Sequence, residues 1–481
     1  MGFIKPHAVL VPFPAQGHIN PMMQLAQKLV EDGFIVTFVN TDFNHARIFQ
    51  ANNMAKSGLS TDEVEICHNI RLVSISDGLA PQDSRTDFAK LTNSMENCMG
   101  HSFHKLIEEI NEKEQHNVTC LIVDINVACW SLDIAKQYHI PSAAICPASA
   151  ATYATFYNIP NLVSAGLLPS NGVFKEQKMV DYSLPSMPPI HCTRFAWMVG
   201  SEEDQEILFH YTLRNIESVR DIESVICNTF LDLEATILNS FPEQDLVCPV
   251  GPLIPSQFFN GNISQSNTGL IATGFWAEEL QCLEWLDKQS PESVIYVSFG
   301  SLVILNERQF EEFALGLEAT QRPFLWVVRN DLLDGTTTVF PSGFTERIKD
   351  RGCLVSWAPQ LSVLSHPSIA CFVTHCGWNS TLESISMGVP MICWPYFADQ
   401  FLNCSYIAEV WKIGLVLKAN NNGIMDKLEI ETAVERVLSD EDGVEIRKRV
   451  RKLKKSGRDA VKEGGSSSIN YKSFLNATKN S

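Results

Sequence analysis

The sequence predicts an α/β protein made of two doubly wound parallel-sheet domains, and three observations carry that prediction. Short apolar runs alternate with longer segments of helical period, the pattern of parallel strands joined by crossover helices. The alternation stops once, in a stretch rich in Pro, Gly, Asn and Ser, and then restarts. At 481 residues the chain is too long for one ordinary core, since domains usually hold ~100 to 200 residues.

In the first half the strand candidates are HAVLVPF, FIVTFVN, IRLVSIS, TCLIVD, PSAAICP and SVICNTF, each followed by a segment able to turn helical. Between residues 245 and 275 the texture becomes LVCPVGPLIPSQFFNGNISQSNTG, which can continue neither element. Strand candidates then resume with SVIYVSFGS, FLWVVR, CLVSWAP, IACFVTH, PMICWP and GLVLK. The tail carries a basic helix, a Gly-Gly-Ser-Ser-Ser break and a short last helix. The organisation expected is a first domain over 1–250, a linker over 251–275, a second domain over 276–460, and a C-terminal helix over 461–481 returning to the first domain.

Composition narrows the function. An apolar fraction of 45% with 19% charged residues supplies a core large enough to offset chain entropy. The 37 basic against 55 acidic residues leave a net charge of −18, which repels nucleic-acid phosphates and anionic lipid. The basic tail helix is read as a solvated face rather than a membrane contact. The start, MGFIKPHAVLVPFPAQGHINP, reads as no signal peptide, because its apolar run is short and broken by prolines. No apolar stretch reaches the ~18 residues of a membrane span. The 14 cysteines lie in strand-like runs with no CxxC pair, which reads as reduced core thiols in a cytosolic protein. Asn-x-Ser/Thr sequons occur at Asn117, Asn262, Asn379, Asn403 and Asn476.

Open α/β sheets bind ligands at the carboxyl ends of their strands, so the chemistry is sought in the loops that follow them. After IACFVTH comes CGWNSTLESISMGVP, which puts His375 at a strand end and Gly377, Asn379 and Ser380 at a helix entrance. Free main-chain N–H groups and the positive end of the helix dipole make such an entrance an anion site. Asn379 and Ser380 can cap that helix or donate to phosphate oxygen, and His375 can donate a ring N–H. Glu383, three residues beyond Ser380, is either a capping-box acid or an acceptor for ribose hydroxyls. Trp357 and Gln360 follow another strand and offer a flat aromatic face and an amide, although a Trp in such a place can equally be core packing. In the first half His18 lies between a strand and a helix, with Asn20 as the expected cap and Pro21 as the first helical residue. Asp124 ends TCLIVD, so the two side chains can share one rim of a parallel sheet.

The stretch WAPQLSVLSHPSIACFVTHCGWNSTLESISMGVPMICWPYFADQ, from Trp357 to Gln400, resembles almost letter for letter the signature box of plant secondary-product UDP-glycosyltransferases. PAQGHINP near the start and FGS before the next helix agree with that family, so the resemblance covers essentially the whole chain. It implies two facing Rossmann-like domains of the GT-B type around one cleft. It further implies that Trp357 stacks uracil, Ala358 pairs with the base edge through its main chain, and Gln360 and Glu383 hold the ribose. His375, Gly377, Asn379, Ser380 and Ser301 would bind the diphosphate, and Trp378, Asp399 and Gln400 would face the sugar. Gln400 goes with glucose in this family where His goes with galactose. His18 matches the catalytic base and Asp124 the acid that orients it.

The resemblance therefore implies an inverting transfer, with UDP-glucose as donor substrate, a small hydrophobic acceptor, a monomeric cytoplasmic protein, and no metal or other cofactor. Asp440-Glu441-Asp442 is a formal DxD pattern of the kind metal-dependent transferases use, but it reads as a solvated polar loop between helices. Acceptor identity is expected near Phe13, Phe43, Phe88, Ile125 and SLPSMPPIHCTRF, which specify only an apolar pocket. Where several relatives carry Thr or Ser after the strand PSAAICP to meet the sugar's primary hydroxyl, this chain has Pro147-Ala148, a departure that leaves that donor contact open. A glycan on Asn379 would block the diphosphate site. Two other classes are weighed: a UDP-sugar or metabolite binding protein without turnover, and a dinucleotide oxidoreductase, which lacks its GxGxxG after a strand.

Overall fold

The computed structural model describes residues 5–51, 63–67, 69–113, 117–182, 184–222, 224–242, 247–260, 274–329 and 340–480. The chain divides into two compact units, one of Met1–Trp276 with Asp459–Ser481 and the other of Ala277–Arg458. Most of the polar stretch expected as a linker, 261–273, with its sequon at Asn262, lies outside the described residues, as does Ser183 of the Pro-rich segment.

The first unit is built on an eight-stranded sheet. Its strands are β1 (His7–Val11), β2 (Ile35–Thr41), β3 (Glu63–Cys67), β4 (Ile70–Ile75), β5 (Cys120–Asp124) and β6 (Ser142–Cys146). After a small hairpin of β7 (Met179–Val180) and β8 (Ile190–His191), β9 (Val225–Cys227) and β10 (Val247–Pro249) complete it. The order is β10-β9-β6-β5-β1-β2-β4-β3, parallel throughout except for β3 at one edge. Every residue of β1 and β5 is buried, as helices on both faces of a parallel sheet require. Helices α1 (Gln16–Glu31), α2 (Ala128–Gln137), α3 (Ala150–Tyr157) and α4 (Leu231–Leu238) enter the argument below. The chain leaves β1 towards β2 on one side, and the later strands β5 and β6 lie on the other. The two windings therefore part between β1 and β5, whose ends the Val11–Val123 pairing keeps level.

Two sequence expectations need correction here. Helix α1 starts at Gln16 with Ala15 as its uncapped N-cap, so Asn20 is not the cap and Pro21 lies inside the helix. The first turn closes through Ile19 N–H to Ala15 C=O at 3.0 Å, and Pro21 then costs the helix one later bond without preventing the start. His18 consequently sits in the first helical turn. The second correction is β10: Val247–Pro249 lies within the stretch judged unable to form an element, yet it pairs with β9 as the edge strand. An edge position tolerates the missing N–H of Pro249.

The second unit holds six parallel strands, β11 (Val294–Ser298), β12 (Phe324–Val327), β13 (Gly352–Val355), β14 (Ile369–Thr374), β15 (Met391–Cys393) and β16 (Gly414–Val416). Their order, β13-β12-β11-β14-β15-β16, is that of a doubly wound nucleotide-binding sheet, with the switch between β11 and β14. Helices α5 (Glu307–Ala319), α6 (Gln360–Ser365), α7 (Trp378–Met387), α8 (Gln400–Ser405) and α9 (Lys427–Leu438) belong to it. Phe299, Phe310, Phe313, Trp326 and Trp394 form much of its core with α5 and α9. Helix α10 (Glu441–Val461) then runs out of this unit, and α11 (Ser466–Asn480) belongs to the first. Of the DxD pattern, Asp440 alone precedes α10, while Glu441 and Asp442 form its acidic first turn, with Asp442 3.4 Å from Arg436. That placement suits the helix dipole. Among the described residues no helix is long and apolar enough to cross a membrane.

Helix α11 is stitched to the first unit by polar and apolar contacts together. Tyr471, Phe474 and Leu475 join the core that holds Met22, Leu25 and Leu29 of α1. The Tyr471 hydroxyl donates to Asp32 at 2.9 Å, Ser467 donates to the Gly251 carbonyl at 2.6 Å, and Lys28 lies 4.0 Å from the Tyr471 ring. Replacing Tyr471 by Ala is expected to cost the first unit about 3 kcal/mol, against about 1 for Phe, because the Phe keeps the packing and loses only a hydrogen bond. Urea unfolding followed by tryptophan fluorescence tests this. Equal midpoint shifts for the two variants would contradict it.

Candidate functional site

At the switch point of the first unit, His18 and Asp124 meet. His18 Nδ1 lies 2.7 Å from Asp124 Oδ2, with the imidazole 27% exposed and the carboxylate fully buried. The other carboxylate oxygen accepts from the main-chain N–H of Asn126 at 2.8 Å and from its side-chain amide at 3.0 Å. An ionised carboxylate only accepts, so Nδ1 carries the imidazole proton and Nε2 carries the lone pair. The Asn126 carbonyl in turn accepts from the Tyr211 hydroxyl, which fixes the turn after β5.

Phe13 stands 5.1 Å from the His18 ring and 6.5 Å from Phe88, centroid to centroid, giving the dyad an aromatic flank. Ile125 is buried beside it in sequence. Phe43 is placed differently, since its face is covered by the Arg85 guanidinium at 4.3 Å. After β6, Pro147 and Ala148 carry no hydroxyl, and the next one, Ser149, caps α3 by accepting from Thr152 N–H at 3.1 Å. The buried Glu234 of α4 accepts from the Ala150 and Ala151 N–H groups at 2.9 and 3.0 Å, so that helix entrance is already filled by the protein's own acid.

At the switch point of the second unit, His375 follows β14 and α7 begins at once. The helix N-cap is Gly377 and no side chain caps it, so Asn379 and Ser380 do not take the capping role open to them from the sequence. They occupy the first turn instead, with their N–H groups at the positive end of the helix. The reason is the bare Gly377: a Cβ there would come within 2.5 Å of His375 Nε2, and one at Gly300 within 2.8 Å of the same atom. The imidazole is thus packed between two glycines, one from the loop after β11 and one from the turn after β14. Ser301 follows Gly300 in the first of those loops.

Burial pushes the His375 ionisation down to about 4, and the nearby Arg329 adds to the shift. At neutral pH the ring is therefore uncharged and serves as a neutral hydrogen-bonding group. Arg329, buried at the end of β12, donates to the carbonyls of Gly300 and of Val303, the latter at 2.9 Å. It braces the glycine loop and supplies a fixed positive charge near His375. Sequence reading passed over Arg329; a cation closing the apolar run FLWVVR was the signal available.

A third group lies one helical turn further in. The Gln360 amide donates to Ser380 Oγ at 2.8 Å and to Glu383 Oε2 at 2.7 Å, and its carbonyl accepts from the Tyr296 hydroxyl at 3.3 Å. Glu383 therefore closes no capping box. Its carboxyl is pushed up to about 7, mainly by burial, against the pull of Gln360 and with a smaller push from Glu278. Trp357 is half-buried and Ala358 buried on the loop between β13 and α6. Glu279 fixes that loop, donating its N–H to the Trp357 carbonyl at 2.9 Å and accepting from the Ser356 N–H at 2.6 Å.

Asp399 and Gln400 sit at the start of α8. The Gln400 carbonyl accepts from the main-chain N–H groups of Tyr396 and Phe397 at 2.9 and 3.2 Å, which orients its amide. Asp399 accepts from Asn403 at 2.9 Å, and Asn403 also donates to the Cys376 carbonyl at 3.0 Å. Trp378 is only 4% exposed, with its ring 6.3 Å from that of Trp411, so what it can offer a ligand is chiefly its main-chain N–H. Asn126, Arg329, Glu279 and Asn403 are the supporting residues that motif reading did not find, because each acts from outside the signature stretch or through a neighbour.

Comparison with known proteins gives the family. The family model described as "UDP-glucoronosyl and UDP-glucosyl transferase" matches residues 45–456, and a glycosyltransferase N-terminal domain model matches residues 7–72. The chain is 35% identical to UDP-glycosyltransferase 83A1 of Arabidopsis thaliana, covering 99% of this chain and 97% of that one. It is 35% identical to 7-deoxyloganetin glucosyltransferase of Gardenia jasminoides, covering 96% and 95% respectively. The structure of Phytolacca americana UGT2 complexed with UDP-2-fluoro-glucose and pterostilbene superposes with a TM-score of 0.77 at 29% identity, covering 98% of this chain and 100% of that one. The fold is thus of the GT-B type, and the chain belongs to the plant UDP-glycosyltransferase family.

Proposed function

We propose that this enzyme transfers glucose from UDP-glucose to a hydroxyl or carboxyl oxygen of a small, largely apolar plant metabolite, with inversion to the β-glucoside. The observation that carries the reading is the 2.7 Å bond between His18 Nδ1 and the buried Asp124 carboxylate. A phenol, with pKa ~10, is mostly protonated at neutral pH and needs a base that removes its proton as the new bond forms. His18 Nε2 takes that proton, and Asp124 holds the tautomer and stabilises the imidazolium that results. The acceptor oxygen then attacks the anomeric carbon in line as the bond to UDP breaks. No covalent sugar intermediate forms.

The donor is assigned to the second unit. Trp357 stacks the uracil, the Ala358 main chain meets the base edge, and the ribose hydroxyls exchange into the Gln360–Glu383 pair. The diphosphate lies on the N–H groups of Trp378, Asn379 and Ser380, with Gly377, His375 and Ser301 around it. These neutral donors, with Arg329 behind them, stabilise the leaving charge, so no metal is assigned to the reaction. Asp399 and the Gln400 amide grip adjacent sugar hydroxyls, since one only accepts and the other can donate. Glucose is supported by Gln400, by the glucosyltransferase named above and by the fluoro-glucose donor of the Phytolacca protein. The aromatic flank of Phe13 and Phe88 supports an apolar acceptor. A cytoplasmic site of action is supported by Asn379, whose sequon falls in the diphosphate turn.

Three expected outcomes follow. His18→Ala lowers kcat by about 10² to 10⁴ and leaves UDP affinity unchanged within error, read by product formation and calorimetry; lost UDP binding would overturn the assignment of His18 as base. Gln400→His lowers the preference for UDP-glucose over UDP-galactose in a competition assay, and an unaltered ratio would refute its place at the sugar. Ribose hydroxyls favour the ionised Glu383, whose carboxyl stands at about 7 in the free protein, so binding releases a proton and UDP affinity rises from pH 6 to 8. In Glu383→Gln the part of the slope due to this residue disappears; identical slopes would remove it from the ribose site.

A further inference from the structure

Cys376, Cys393 and Cys404 converge in the interior of the second unit. Cys376 lies in the turn between β14 and α7, Cys393 ends β15, and Cys404 is in α8. Their sulfur atoms all lie within 4.8 Å of one another. None of the three is in a disulfide, and their exposures are 0, 0 and 5%. Among the described residues this is the single group of three or more His, Cys, Asp or Glu side chains with metal-ligand spacing.

One buried cysteine is a small apolar filler. Three from separate elements, with their sulfurs turned together, are also a preformed soft-ligand set. Metal–sulfur bonds of about 2.3 Å, as for zinc, in a trigonal arrangement place the sulfurs about 4 Å apart, within the spacing observed here. Burial holds Cys376 and Cys393 far above the ordinary thiol range, and the neighbouring thiols push Cys376 further, so these two are neutral at rest. Any cation must therefore displace protons, which selects ions that bond strongly to sulfur over hard ions such as magnesium.

We propose that Cys376, Cys393 and Cys404 form a three-thiolate site for a soft, thiophilic d¹⁰ cation such as cadmium, mercury or monovalent copper. For a divalent ion the step is M²⁺ + 3 RSH → [M(SR)₃]⁻ + 3 H⁺. Three S–H bonds are exchanged for three M–S bonds, the protons go to solvent, and nothing is oxidised. The site loses one unit of charge. Cys376 stands between His375 and Gly377, and Asn403 ties its carbonyl to α8, so the added negative charge falls beside the diphosphate turn. This last consequence rests on the function proposed above. Metal binding itself does not.

The test is an anaerobic titration of the full-length protein with Cd²⁺ in weak buffer, following the thiolate-to-metal ultraviolet band and proton release together. One tight equivalent releasing three protons is expected in the wild type and is absent from both Cys393→Ser and Cys404→Ala, whose circular dichroism and UDP affinity remain those of the wild type. After excess metal is removed by gel filtration, UDP binds several-fold more weakly to the loaded wild type. No tight equivalent, proton release below three, or a band that persists in both variants through other thiols such as Cys98, Cys129 or Cys353 would overturn the site. A filled site with unchanged UDP affinity would overturn its coupling to the diphosphate turn, and the site would stand.

Discussion

A doubly wound parallel sheet has one place where successive windings part, and the strand-end loops on either side of that parting cannot cover one another. Each unit of this protein uses that gap. In the first, the loop after β1 leads into α1 and brings His18 of its first turn against Asp124 at the end of β5, although 106 residues separate them. In the second, the loops after β11 and β14 bring Gly300 against His375 and open the entrance of α7. The chemistry follows from where the sheets divide, and the burial of β1, β5, β11 and β14 holds those loop bases rigid.

The two histidines show how surroundings decide what one side chain does. His18 is partly exposed and has a buried carboxylate at Nδ1, which places the ring's lone pair at Nε2. His375 is surrounded by protein, lies near Arg329 and has no acid partner among its named contacts, so it stays neutral. The first suits a base, the second a hydrogen-bonding group beside an anion. Glycine completes the second site by absence, since a methyl at 300 or 377 would occupy the space of the ring.

Much of this was legible in the sequence. The twelve apolar runs singled out all form strands, because parallel strands buried on both faces leave a continuous apolar signal. The two edge strands of the first sheet were not legible: β3 carries charged residues within EVEIC, and β10 ends in proline inside a loop-like stretch. The start of α1 was misplaced because Asn20-Pro21 imitates a helix entrance, whereas the turn closes earlier on Ala15 with no capping side chain. For the candidate site, the signature stretch singled out side chains but not the groups that support them. Asn126, Arg329 and Glu279 hold loops through main-chain atoms, and such contacts leave no fixed spacing in the sequence.

The central claim is that Asp124 holds His18 as a neutral imidazole protonated at Nδ1, with the lone pair at Nε2. Nitrogen-15 NMR of the histidine rings, with His18 assigned by its loss in a His18→Asn variant, tests it most directly. The account predicts a protonated Nδ1 and an unprotonated Nε2 for His18 at neutral pH, with that pattern lost in Asp124→Ala. A ring protonated at Nε2 in the wild-type enzyme would contradict it, because that nitrogen would then have no lone pair with which to act as the proposed base.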